Sequence, residues 1–135
     1  MDALAAVRRL LMNRRASVTV AFTAASFVLA AAPAARAHAL LDHAVPAVGA
    51  TLTGPPATIE LTFSEDVEPA FSSIEVTDAA GAKVESTGKL EHPKESVLAL
   101  PLPSLPPGQY VVHWKVVSVD THTTEGTFRF RIGAP

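Results

Sequence analysis

Gly108-Gln109-Tyr110-Val111-Val112-His113-Trp114-Lys115-Val116-Val117 is the longest run of strand-forming residues in the chain. Tyr110, Val112, Trp114 and Val116 recur at every second position and share one face, opposite His113 and Lys115. A period of two is the pattern of a strand with one buried and one solvated side. The pattern repeats on either side of this run. Ile59, Leu61 and Phe63 alternate with Thr58, Glu60 and Thr62, and Phe128, Phe130 and Ile132 alternate with Arg129 and Arg131. Ser73-Ile74-Glu75-Val76-Thr77 ends in the turn sequence Asp78-Ala79-Ala80-Gly81, and Val97-Leu98-Ala99-Leu100 precedes a Pro-rich connection expected at the surface. Leu40 and Leu41 begin a first strand that stops before Pro46. No segment from residue 38 onward keeps a helical period, and Glu65 to Phe71 allows one helical turn at most. About seven short strands separated by turn signals predict an all-β domain, a two-sheet antiparallel sandwich or Greek-key barrel. Trp114, Phe128 and Phe130 are expected in its core.

The first 37 residues read differently. Arg8, Arg9, Arg14 and Arg15 precede an apolar run over residues 16–32, followed by Pro33 and Ala35-Arg36-Ala37. A basic start, an apolar middle and a small-residue cleavage site make a secretory signal, cut after Ala37. The paired arginines suit the general or the twin-arginine export route. Removal of residues 1–37 leaves one domain, residues 38–135, in the periplasm or the extracytoplasmic envelope, with no stable membrane insertion. From residue 38 onward six Lys/Arg face twelve Asp/Glu, a net charge near −6. That balance argues against nucleic acid, which selects clustered basic residues. With no cysteine, and with Met1 and Met12 both in the signal, the mature domain holds no sulfur ligand, disulfide or thiol nucleophile.

The remaining metal-capable side chains are histidines and carboxylates. After cleavage His38 offers an α-amine and an imidazole from one residue, a preformed chelate once the amine loses its proton to the metal. Asp120 and His122 stand two apart, so in extended chain a carboxylate and an imidazole converge on one side. An amine, two imidazoles and a carboxylate suit tetragonal Cu(II), and Zn(II) accepts the same donors. His113 lies on the face opposite Trp114, towards solvent. His92, in Glu91-His92-Pro93, falls in a polar loop, and His43 falls on the far side of a regular strand from His38. His43 could join the site through a flexible N-terminus, and whether His43 or His92 adds a ligand or a Cu(I) site stays open. No nucleophile-elbow, phosphate-loop, zinc-protease or dinucleotide motif occurs.

His38-Ala39-Leu40-Leu41, Leu61-Thr62-Phe63-Ser64-Glu65, the run from Gly108 to His122 with its Trp-x-x-x-Ser-x-Asp-x-His spacing, and Gly126-Thr127-Phe128-Arg129-Phe130 occur in that order. Together they resemble the CopC copper-resistance proteins of the bacterial periplasm. The resemblance spans residues 38–132. It implies an immunoglobulin-like sandwich that binds one Cu(II) per chain through His38, Asp120 and His122, with Glu65 beside the copper or as a weak axial donor. It also implies a carrier that is not an enzyme, sequestering copper for resistance and homeostasis or delivering it to a CopD-like inner-membrane transporter. Many members hold Cu(I) in a Met-rich loop, whereas residues 81–96 contain no Met. Two other readings are open. An N-terminal copper-chelating histidine is also similar to that of lytic polysaccharide monooxygenases, which would make the chain a small copper-dependent oxidative enzyme. A metal-free immunoglobulin-like interaction module is the third.

Overall fold

The computed structural model describes residues 38–134, so the signal segment predicted over residues 1–37 lies outside the described residues. Nine strands run in chain order: β1 (Leu41–Val45), β2 (Thr51–Leu52), β3 (Thr58–Phe63), β4 (Ser73–Asp78), β5 (Lys83–Val84), β6 (Glu91–Lys94), β7 (Val97–Pro101), β8 (Gly108–Val117) and β9 (Thr123–Ile132). The six principal strands coincide with the predicted strands. The additions are short edge strands, too brief to show a period. A single 3-10 turn, Pro69–Phe71, is the only helical element among the described residues.

The strands form two sheets, ordered β1-β3-β7-β6 and β2-β9-β8-β4-β5. This is the strand order of an immunoglobulin-type sandwich. Pairing is antiparallel except between β2 and β9, where Thr51 and Leu52 run parallel to Arg131 and Ile132. The chain crosses from β1 in one sheet to β2 in the other, so β2 meets the last strand in the same direction. Tyr110, near the start of β8, donates its hydroxyl to Pro106 O at 2.7 Å, the corner contact of such sandwiches. Burial, and secondarily the negative charge of Asp78, push the Tyr110 phenol above its ordinary pKa.

The core joins Ile59, Leu61 and Phe63 of one sheet to Val76, Val112, Val116, Phe128 and Phe130 of the other. Two expectations need correction. The Pro-rich connection after β7 is not wholly at the surface: Leu102 and Leu105 are buried in the core, and Leu102 N donates to Ala57 O at 2.8 Å. Its prolines lack an N–H, so the backbone can pass close to the core while two leucines close that end of the sandwich. Trp114 faces inward but is only half-buried, packing edge-on to Phe63 with ring centroids 5.4 Å apart. Its register partner on β9 is Gly126, which brings no side chain to cover the indole.

A Cβ at Gly126 would lie 2.6 Å from Trp114 Cζ2. Gly126→Ala is therefore expected to force the indole off Phe63 and cost roughly 1–3 kcal/mol, the range for overpacking. An unchanged urea midpoint would show that the ring can swing away freely.

Candidate metal centre

Residues 38–40, 64–67 and 118–124 meet at one end of the sandwich. Leu40 and Ser64 exchange bonds, Leu40 N to Ser64 Oγ at 2.9 Å and Ser64 N to Leu40 O at 2.8 Å. Val67 bridges Ser118, and Val119 N donates to Asp66 O at 3.1 Å. Thr124 Oγ1 donates to Ala39 O at 2.7 Å. Each of the three segments is thus tied to another by backbone or hydroxyl contacts.

The β8–β9 hairpin closes through a tight loop. Ser118 N donates to His122 O at 2.9 Å and Thr121 N to Ser118 O at 2.8 Å. Thr121 takes φ 76°, a left-handed conformation that a β-branched residue adopts at a cost of about 1–3 kcal/mol and only where surrounding bonds impose it. Ser118 is fully buried, the one buried polar side chain among the described residues. It continues the inward series Val112, Trp114, Val116, and a hydroxyl there needs a partner. It donates to Asp120 Oδ1 and lies 3.1 Å from His122 O.

Asp120 Oδ1 also accepts from His122 N at 3.3 Å and lies 3.2 Å from His122 Nδ1. Three contacts fall on the same oxygen, which leaves Oδ2 turned away from them. A proton on Nδ1, beside the carboxylate, would leave Nε2 as the free lone pair of His122, the arrangement by which a carboxylate orients a ligating histidine. The Ser118 hydroxyl, followed by the His122 backbone and ring, holds the Asp120 carboxyl below its ordinary pKa.

His38 is exposed, and its ring lies 4.8 Å from that of His122, tilted by 57°. His122 therefore neighbours both other residues singled out in the sequence. They do not make a closed cage of side chains: among the described residues no three His, Cys, Asp or Glu are gathered tightly enough to hold a metal ion. Glu65 is half-buried in the loop between Ser64 and Asp66, the residues that contact Leu40 and Val119. No hydrogen bond or ion pair among the described residues ties its carboxylate to His38, Asp120 or His122.

The other histidines lie elsewhere. His43 is exposed on β1 opposite Thr62, after a bulge at Asp42. His92 is in edge strand β6, not in a loop, with Nε2 3.0 Å from Glu95 O. His113 is on the outer sheet face, its Nε2 3.1 Å from Thr77 Oγ1. Sequence reasoning gave no role to Ser64, Ser118 or Thr124. Only Ser118 left a signal, as a polar residue that continues the inward-facing series of β8 just past its end.

Residues 41–133 match the family model described as the CopC domain. The chain belongs to the CopC family. Protein YobA of Escherichia coli K12 is 40% identical over 102 residues, covering 74% of this chain and 82% of that protein. Copper resistance protein C of Xanthomonas campestris pv. juglandis is 33% identical over 126 residues, covering 88% of this chain and 96% of its own. Among solved structures, CopC from Methylosinus trichosporium OB3b superposes with a TM-score of 0.65 at 35% identity, over 71% of this chain and 94% of that one. The CopC match spans all nine strands and the Asp120–His122 loop.

Proposed function

We propose that the chain is a periplasmic Cu(II) carrier, matured by cleavage after Ala37, that sequesters copper or hands it to a CopD-like membrane transporter. One Cu(II) is the cargo. The His38 amine and imidazole, His122 Nε2 and Asp120 Oδ2 are the donors, and Glu65 is a neighbouring carboxylate. The observation that carries this reading is the 4.8 Å approach of the His38 and His122 rings, beside a carboxylate already oriented by Ser118. Kinship with copper resistance protein C supports copper as the cargo. So does the donor set, because nitrogen-rich ligation with one carboxylate suits Cu(II). Freed by cleavage, the amine of His38 supplies a fourth donor beside the three side chains.

The reading is of binding and release rather than catalysis. Capture requires deprotonated nitrogens, so acidification drives the metal off. The lowered pKa of Asp120 keeps that carboxylate ionised above its depressed value, and the carboxylate protonates only when the pH falls through it.

Titration of Cu(II) into protein beginning at His38, followed by electron paramagnetic resonance, tests the proposal. One equivalent should bind with a nitrogen-rich tetragonal spectrum. His122→Ala and Asp120→Ala should each weaken binding by more than the roughly 10–100-fold that loss of an outer-sphere partner costs. His113→Ala, on the outer face, should bind like the parent. Equal affinity in His122→Ala would overturn the ligand set, and ascorbate-driven peroxide release by the loaded protein would favour the oxidative enzyme.

A further inference from the structure

We infer that Thr124 and Ser64 are positioning residues that hold His38 in place for metal capture by clamping a single peptide unit between the two sheets. The inference rests on His38 being a ligand and goes beyond it by naming what makes the terminus a ligand rather than a frayed end.

The carbonyl of Ala39 and the N–H of Leu40 belong to one planar peptide group. Thr124, on β9, donates its hydroxyl to that carbonyl at 2.7 Å. Ser64, immediately after β3 in the opposite sheet, accepts from that N–H at 2.9 Å. The plane is therefore bolted crosswise, one edge to each sheet. A second bond, Ser64 N to Leu40 O at 2.8 Å, secures the following carbonyl. Ala39 is fully buried, so its methyl pegs the Cα that forms the first corner of the plane. Rotation about the Ala39 Cα–C bond would pull that methyl out of its seat.

The soft backbone rotations left between the clamp and the amine are φ of Ala39 and ψ of His38. A terminus that would otherwise sample many conformations is thereby restricted to a small arc beside His122. Ordering one residue in advance is worth a factor of roughly 5–30 in affinity, because the metal no longer has to supply that ordering. Ser64 and Thr124 touch no donor atom; they act through the Ala39–Leu40 peptide.

The test uses protein beginning at His38. Thr124→Val keeps the side-chain shape and removes the hydroxyl, Thr124→Ser restores it, and Ser64→Ala removes the contact from the other sheet. Thr124→Val and Ser64→Ala should each weaken Cu(II) by roughly 5–30-fold and alter the resonance parameters of the amine nitrogen. Thr124→Ser should return both to the parent values. The same Thr124→Val change in a chain with one residue added ahead of His38 should have no further effect on copper. A purely structural role would lower the thermal midpoint and leave the metal spectrum and the Thr124→Ser comparison unmoved. If parent and extended chains bind Cu(II) equally, the His38 chelate itself is wrong. If they differ and Thr124→Val binds like the parent, the clamp alone is overturned.

Discussion

Adding one residue ahead of His38 is expected to lower Cu(II) affinity by roughly 10²–10⁴-fold, the factor gained when a second contact is tethered to the first. The addition changes no side chain. It converts the His38 amine into an amide and leaves the imidazole as a single donor. Because the two donors share one residue, they act as a tethered pair, and the loss is of the tether as well as of one nitrogen. The thermal midpoint of the metal-free protein should stay unchanged, since His38 is exposed and the fixed structure begins at Ala39. The uncut precursor should resemble the extended chain, which would make signal cleavage the step that creates the site. Affinity is read by competition with a Cu(II) chelator and the ligand set by resonance spectroscopy. Retention of tight binding by the extended chain would mean that the site is built from side chains alone.

The fold was legible because β3, β4, β8 and β9 are long enough to show their period, and β1 and β7 are apolar runs bounded by turn signals. In β8, Tyr110, Val112 and Val116 are buried and His113 and Lys115 exposed, as alternation requires. The edge strands were not legible: two-residue β2 and β5 have no period, and β6 is exposed throughout. Neither was the burial of Leu102 and Leu105, since prolines on all sides read as a surface linker. Trp114 had the right face but not the right depth, because depth depends on Gly126, a partner twelve residues away.

The nearness of Asp120 and His122 was legible in the sequence, and the groups that hold the proposed site together were not. Asp120 and His122 are neighbours in sequence, but they converge through the tight loop around left-handed Thr121 and not through the extended chain that their spacing suggested. The approach of His38 to His122 depends on which strands lie side by side, and local pattern is silent on that. The hydroxyls of Ser64 and Thr124 lie 24 and 85 residues from the backbone groups they hold. No spacing rule reaches so far.

Phe130→Ala is expected to destabilise the folded domain by about 3–5 kcal/mol, the range for deleting a buried large aromatic. Phe130 is 1% exposed and stacks on Tyr110 with ring centroids 5.5 Å apart, so truncation opens a cavity between the sheets. A domain of this size has roughly 5–15 kcal/mol of stability in total, and this one has no disulfide to share the load. The loss should appear as a lower urea midpoint with little change in slope. Phe130 and Thr124 lie on the same strand, β9, so core and site are mechanically continuous. Ligand that binds only the folded state raises its stability as concentration exceeds the dissociation constant. Saturating Cu(II) should therefore recover part of the lost midpoint in Phe130→Ala protein that begins at His38. It should recover much less at the same Cu(II) concentration when His122→Ala is added. A midpoint equal to the parent's would show that the sheets collapse to fill the space. Recovery undiminished without His122 would place the stabilising metal somewhere other than this end of the sandwich.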